Sequence, residues 1–337
     1  MRETAVIIVN WNGKKYLKDC LDSLEKQSYQ NFDIFLVDNN STDGSAGIAR
    51  NYSNVRLIQN AKNYGFAKGN NIAIRQALNE EYKYVVLLNN DTVADKNWLK
   101  FLVETAKDPK AGACQSKILL FDSKLINSAG NGAHYLGFSY CGHFKEEDTF
   151  IKDDEVVAAS GAAVLYKTEV LKKVGLLDED FFMYHEDTDL SWRIRTLGYK
   201  ILLSSNSVVY HKYSFTRNKM KLYYFERNRL IFMLKNYQLK TVIILSPAIV
   251  GTEVLLIFYS IIGRWFKLKM KAYADIFRLR ESILKKRKQI QSQRKLKDRD
   301  LKGLLSTDLD FEEVQNPLFK VLNFFFRAYW FLVRGFI

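Results

Sequence analysis

Short apolar runs alternate with amphipathic stretches through the first half of the chain. Thr4–Asn10 reads as a strand, Lys14–Gln27 as a helix with Leu17, Leu21 and Leu24 on one face, and Phe32–Asp38 as a second strand. Val55–Ile58 is a short strand, Phe66–Asn79 a helix and Tyr84–Asn89 a strand, with a further strand at Ile201–Tyr210. Such β-α-β alternation predicts an α/β fold with a parallel sheet covered on both faces.

Three of these strands end in polar residues: Asn10-Trp11-Asn12, Asp38-Asn39-Asn40 and Asn89-Asn90-Asp91. The carboxyl ends of parallel strands share one edge, which is where open α/β sheets bind ligands. A carboxylate such as Asp91 can hold a hard divalent cation there, and the cation can hold a diphosphate. The plainer reading is a strand running into a turn, since Asn and Asp are common turn residues. No GxGxxG follows the first strand and no GxxxxGK[ST] occurs, which disfavours a Rossmann dehydrogenase and a P-loop enzyme.

Charge changes the picture of the C-terminal part. The net charge is +14, yet Arg264 to Lys302 holds 15 Lys and Arg against 4 Asp and Glu, while the part before Arg264 holds 33 against 29. Apolar segments flank this basic run. Thr241–Ile262 is long enough to span a bilayer but is interrupted by Pro247, Gly251 and Glu253. Pro317–Ile337 interleaves Phe319, Phe324, Phe325, Phe326, Tyr329, Trp330 and Phe331 with Lys320, Arg327 and Arg334, which suits an interfacial helix. An anionic membrane surface is therefore the expected partner, with a true span, or helices buried against the rest of the chain or in a homo-oligomer, as alternatives. Nucleic acid is not expected, since no recognised nucleic-acid motif accompanies the charges. Lys285–Asp300 is expected as a solvated helix. Cys20, Cys114 and Cys141 form no CxxC pair, and no signal-peptide pattern precedes Thr4, so structural thiols in a reducing cytosolic compartment are expected.

The ordered motifs VIIVNWNG, LVDNNSTDGS, NYGFAKGNN, VVLLNNDT, SGAAVLYKTEVLKKVGLLDEDFF, HEDTDLSWR and VVYHK resemble a family two glycosyltransferase of the GT-A fold, close to rhamnosyltransferase-like members, over about residues 4 to 215. The resemblance implies inverting transfer of a sugar from a nucleotide diphosphate sugar with a divalent metal. It makes Asp38 the residue that reads a uracil or thymine base, Asp187 the catalytic base, and Gly161, Glu186 and Trp192 the acceptor side. His211 matches a family position that supplies an imidazole ligand, favouring Mn2+, beside Asp91. Where many members carry DxD or DDD this chain has Asn89-Asn90-Asp91, which leaves one carboxylate. Asn10, Asn12 and Asn90 at the strand ends, with Asn63, Gly65 and Asn70, complete the expected donor site: glycine admits close backbone approach and amides can bond ribose or sugar hydroxyls.

Plainer roles suit other residues. Asp43 is read as an Asx turn or helix cap, Lys68 as solvated surface, and Asp189 with Arg193 as a supporting ion pair. His134, His143 and His185 are read as structural. The QxxRW motif of processive synthases is absent. The expectation is a catalytic domain over 1–235 and a helical membrane-associating or oligomerising region over 236–337. The enzyme would use Mn2+ or Mg2+ to move one sugar from a UDP- or dTDP-sugar, dTDP-rhamnose included, to a lipid-linked or polysaccharide acceptor. That would take place in cell-wall and surface-glycan synthesis at the cytoplasmic face of the membrane. A sugar nucleotidyltransferase and a catalytically inactive membrane-binding scaffold are the alternatives.

Overall fold

The computed structural model describes residues 2–149, 151–212, 219–309 and 317–337. The chain forms two compact units: residues 1–131, 141–195 and 199–214 in the first, and 132–140, 196–198 and 215–337 in the second. The helix Lys219–Asn236, placed by the sequence with the catalytic domain, belongs to the second unit.

The elements run β1 (Thr4–Asn10), α1 (Lys14–Glu25), β2 (Phe32–Asp38), β3 (Val55–Gln59), α2 (Gly65–Asn79), β4 (Tyr84–Leu88), β5 (Thr92–Ala94), α3 (Trp98–Thr105) and β6 (Ala111–Leu120). Then come β7 (Ile126–Ser128), β8 (Asn131–Ala133), β9 (Ser139–Cys141), β10 (Asp154–Glu155), β11 (Ala163–Lys167), α4 (Thr168–Val174), α5 (Glu186–Thr196) and β12 (Lys200–His211). Among the described residues there follow the α-helices α6 (Lys219–Asn236), α7 (Leu239–Ile262), α8 (Phe266–Arg278), α9 (Arg280–Gln293), α10 (Asp298–Leu301) and α11 (Pro317–Val333).

The first unit is built on one sheet in the order β10-β12-β6-β11-β4-β1-β2-β3. The pairs β1/β2, β2/β3 and β1/β4 are parallel, as the alternation predicted. The sheet as a whole is mixed, which corrects the all-parallel expectation. β11 enters antiparallel between β4 and β6, and β5 pairs antiparallel with β12. Every residue of β11 is buried, so its apolar run carries no mark of direction. Helix α1 buries Leu17, Leu21 and Leu24 against the sheet, the face its spacing predicts.

In the second unit the basic run is not a single solvated helix. α9 ends at Gln293, and Ile283 is buried. Arg287 donates to the Leu234 and Tyr237 carbonyls at 2.5 and 2.7 Å, and Gln291 to that of Asn236 at 2.9 Å. Side chains of α9 thus satisfy the exposed carbonyls at the end of α6, which any helix C-terminus leaves unpaired. Phe319 and Lys320, counted in the interleaved pattern of α11, have side chains outside the described residues.

Candidate active site

The polar strand ends of β1, β2 and β4 do converge. Asn10, at the end of β1, is fully buried, and its Nδ2 lies 2.9 Å from Asp38 Oδ1, 2.8 Å from Ser45 Oγ and 3.1 Å from Ser41 Oγ. Its Oδ1 accepts from Asn90 Nδ2 at 2.9 Å. One buried amide therefore ties three strand ends together, and it acts on the donor edge through Asp38 and Asn90 rather than by facing a ligand. A side chain at Gly13 would land on both amides, so only glycine lets α1 begin there.

Asp38 is 2 % exposed, and each of its oxygens takes one donor: Asn10 on Oδ1 and the Ser41 N–H on Oδ2 at 3.0 Å. Each oxygen keeps a further lone pair. Asn12 has a left-handed backbone, φ 51°, and accepts from Thr42 N at 2.8 Å. Asp43 accepts from Ser45 N at 2.9 Å and from Lys14 N, the first residue of α1, at 2.8 Å, which makes it the turn and cap residue expected. Between Asn10 and Asn12, Trp11 stands 57 % exposed, an aromatic face that the motif reading passed over.

Asn63 Oδ1 accepts from Gly65 N at 2.8 Å. Gly65 has φ +79°, and a Cβ there would collide with Phe182, whose carbonyl accepts from Phe66 N at 2.7 Å. Asn70 is 1 % exposed and donates back to the Phe66 carbonyl at 2.9 Å. One N–H of its amide is thus used inside its own helix.

At the end of β4, Asp91 Oδ1 lies 3.1 Å from His211 Nε2 at the end of β12. The imidazole is oriented from behind, its Nδ1 lying 2.8 Å from Asn127 Oδ1. Among the described residues no group of three or more His, Cys, Asp or Glu side chains gathers to hold a metal. A carboxylate and an imidazole, the latter held by a second partner, nevertheless fit a divalent ion that takes its other ligands from a diphosphate and water. The Asp91 side chain is 28 % exposed, which leaves this position open.

Asp187 opens α5. Its Oδ2 accepts from Gly161 N at 2.9 Å and its Oδ1 from Thr188 N at 2.6 Å. Gly161 is itself held by the turn before β11, where Ser160 N donates to Gln115 Oε1 at 2.7 Å. Burial pushes the Asp187 carboxyl above the ordinary value, against the pull of these N–H groups. The segment leading into α5 is strained, with Phe182, Tyr184 and His185 at φ 64°, 66° and 75°, a concentration typical of functional sites. The Asp189–Arg193 ion pair forms as expected, at 2.8 Å and buried.

Glu186 and Trp192 do not face an acceptor. They are 5 % and 1 % exposed, covered by the fold rather than open to a ligand. Glu186 Oε2 is buried with no hydrogen-bond partner, and no cation pairs with the carboxyl among the described residues. Burial, with Asp187 and Asp189 close by, drives it well above the ordinary value, which favours its neutral, protonated form. The folded chain thus keeps a proton that the unfolded chain releases near 4.5. Stability falls as pH rises from there toward the raised value. Glu186→Gln mimics the neutral acid and should remove that slope, melting at the native temperature near pH 4.5 and above it at mildly alkaline pH. A variant that melts lower across the whole range would show instead that Glu186 is ionised.

Ser41 and Ser45 stand inside LVDNNSTDGS and Trp11 inside VIIVNWNG, so sequence motifs alone mark them. Asn127 lies 84 positions from His211 and carries no such signal.

The family model of glycosyl transferase family 2 matches residues 5–175. O-antigen biosynthesis protein RfbC of Myxococcus xanthus is 28% identical over 228 residues, 64% of this chain and 18% of that protein. Poly-beta-1,6-N-acetyl-D-glucosamine synthase of Staphylococcus aureus (strain COL) is 26% identical over 199 residues, 58% of this chain and 46% of that one. The chain thus spans less than half the length of either relative. Among solved structures, GalNAc-T7 with UDP, GalNAc and Mn2+ superposes with a TM-score of 0.60 at 15% identity, covering 81% of this chain and 55% of the other. The mannosyltransferase PcManGT of Pyrobaculum calidifontis, in complex with GDP-Man and Mn2+, gives 0.51 at 15% identity over 82% and 86%. With its motifs, mixed sheet and strand-end site, the chain belongs to glycosyl transferase family 2 and has the GT-A fold.

Proposed function

We propose that this glycosyltransferase is an inverting, divalent-metal-dependent enzyme that moves a single sugar from a UDP- or dTDP-sugar, dTDP-rhamnose among the candidates, to a lipid-linked or polysaccharide acceptor in surface-glycan synthesis. The observation that carries the reading is Asp187: a half-buried carboxylate aimed by the Gly161 and Thr188 N–H groups and raised above its ordinary value by burial. Asp187 takes the proton of the acceptor hydroxyl as that oxygen attacks the anomeric carbon, and the nucleoside diphosphate departs from the opposite face of the sugar. Attack from that side inverts the anomeric centre. Asp38 accepts the imide N–H of the base, Asn12 and Asn90 bond the donor, Asn63 shapes the Gly65 turn, and Gly161 borders the acceptor. Asp91 and His211 would hold Mn2+ or Mg2+, whose positive charge offsets that gathering on the diphosphate. The donor type draws on the relatives, whose names speak of O-antigen and polymeric N-acetylglucosamine synthesis.

Release of free nucleoside diphosphate, measured with and without Mn2+ across UDP-, dTDP- and GDP-sugars, tests this reading. Metal-stimulated release from one UDP- or dTDP-sugar is expected. Consumption of a nucleoside triphosphate with a sugar phosphate would mark a nucleotidyltransferase. Full-length chain that binds vesicles but turns over no donor would mark a scaffold.

The enzyme works at the cytoplasmic face of a membrane, a reading supported by the basic run after α7 and by the two apolar helices. Full-length protein should bind anionic liposomes, and binding should weaken as salt rises, because screening acts over about 8 Å at physiological ionic strength. Protein that ignores anionic liposomes at low salt would refute membrane attachment and leave the catalytic assignments standing.

A further inference from the structure

Helix α7 is long and apolar enough to cross a membrane, yet in the second unit it buries only one stripe, containing Thr241, Leu245, Thr252 and Ser260. On its other side Ile243, Val250, Val254 and Ile261 are 45 to 61% exposed and recur at helical spacing. Helix α11 extends this surface. Phe324, Phe325, Phe331 and Leu332 are 60 to 69% exposed, and Tyr329 Oη donates to the Ile244 carbonyl of α7 at 2.6 Å. So broad an apolar face asks for an apolar partner.

The middle of α7 decides how lipid can cover it. Glu253 is the only charge between Thr241 and Ile262. Its carboxylate meets Arg229 of α6, and it accepts from Lys269 Nζ of α8 at 2.8 Å and from Tyr273 Oη at 2.5 Å. Lys269 also donates to Glu226 at 2.6 Å, closing a buried network of two acids and two bases. A helix of this length is about 36 Å long, and Glu253 sits near its centre. If α7 crossed a bilayer, Glu253 would carry Arg229, Lys269 and Glu226 to mid-membrane, together with the polar helices that hold them. Lying flat, α7 keeps that network on the protein side and turns only its apolar stripe to lipid. Lys240 and Arg264, both exposed, stand at its two ends, within reach of anionic headgroups.

We propose that α7 and α11 form one lipid-contact face that lies within a single leaflet of an anionic bilayer, with α7 parallel to the membrane plane rather than across it. This rests on the membrane attachment proposed above and adds its geometry.

The test uses full-length protein carrying Cys141→Ser and a nitroxide at Ile243→Cys, Val250→Cys or Ile261→Cys, bound to vesicles of phosphatidylglycerol and phosphatidylcholine. Depth is read from oxygen and nickel-chelate accessibility. All three labels should sit at similar, shallow depth, about 5–10 Å into the headgroup and acyl boundary. A profile deepest at Val250 and shallow at both ends would overturn the proposal in favour of a span. Labels that no lipid reaches on vesicle-bound protein would overturn it in favour of a face covered by a second copy or another protein. In a second arm, Val250→Asp with Val254→Asp should lower vesicle partitioning roughly tenfold and leave donor turnover in solution unchanged. Loss of turnover in the native chain would count against the glycosyltransferase assignments alone, since the depth profile is read without them.

Discussion

Asp187→Asn should lower sugar transfer by roughly 100-fold or more, the share general-base catalysis commonly supplies, while nucleotide affinity persists. The amide keeps the size of the carboxyl but cannot take the acceptor proton. Its environment refines the expectation. Two backbone N–H groups face the two oxygens of Asp187, and an amide has only one oxygen, so one of those bonds is lost in either orientation. That costs about 1 kcal/mol, which a melting curve measures separately from turnover. In the native enzyme, burial raises the carboxyl, so activity is present above the raised value and is lost as pH falls through it, above the ordinary aspartate range. The acid limb of kcat/KM against pH should therefore lie above 3.8. Transfer that survives Asp187→Asn nearly intact would remove Asp187 as the base.

Asp91→Ala should abolish the gain in donor affinity that added Mn2+ produces, a loss of at least about tenfold, or about 1.4 kcal/mol. The fold should tolerate the change. The Lys212 N–H donates to the main-chain carbonyl of Asp91 at 2.9 Å, and the Asp91 side chain lies 3.1 Å from His211 Nε2. His211→Ala should be milder, since water can replace one ligand. Asn127→Ala should act through the imidazole it orients, at about tenfold. Calorimetric titration of the donor with and without Mn2+ checks all three, and undiminished metal dependence in Asp91→Ala would dismiss the site.

Periodicity alone located β1, β2 and β4 to within a residue, because apolar runs that end abruptly in Asn and Asp mark both a buried strand and its carboxyl end. The same strand ends placed Asp38, Asn90 and Asp91 on one edge, since parallel strands have no other way to arrange them. The motifs singled out Asp187 and His211 by resemblance, and the distribution of charge set the basic run apart from the rest of the chain.

Strand direction in the second half of the sheet was decided only in three dimensions. β11 is buried on both faces, and an apolar run of that kind reads the same in either direction. The burial of Glu186, Trp192 and Asn70 was likewise decided in three dimensions, because a motif records which residues are neighbours in sequence and not how deeply the fold covers each of them. The pairings of Asn127 with His211 and of Glu253 with Arg229 and Lys269 join residues distant in the chain. A hydrogen bond or ion pair depends on where the backbone brings two groups together, and separation along the sequence leaves no trace of that meeting.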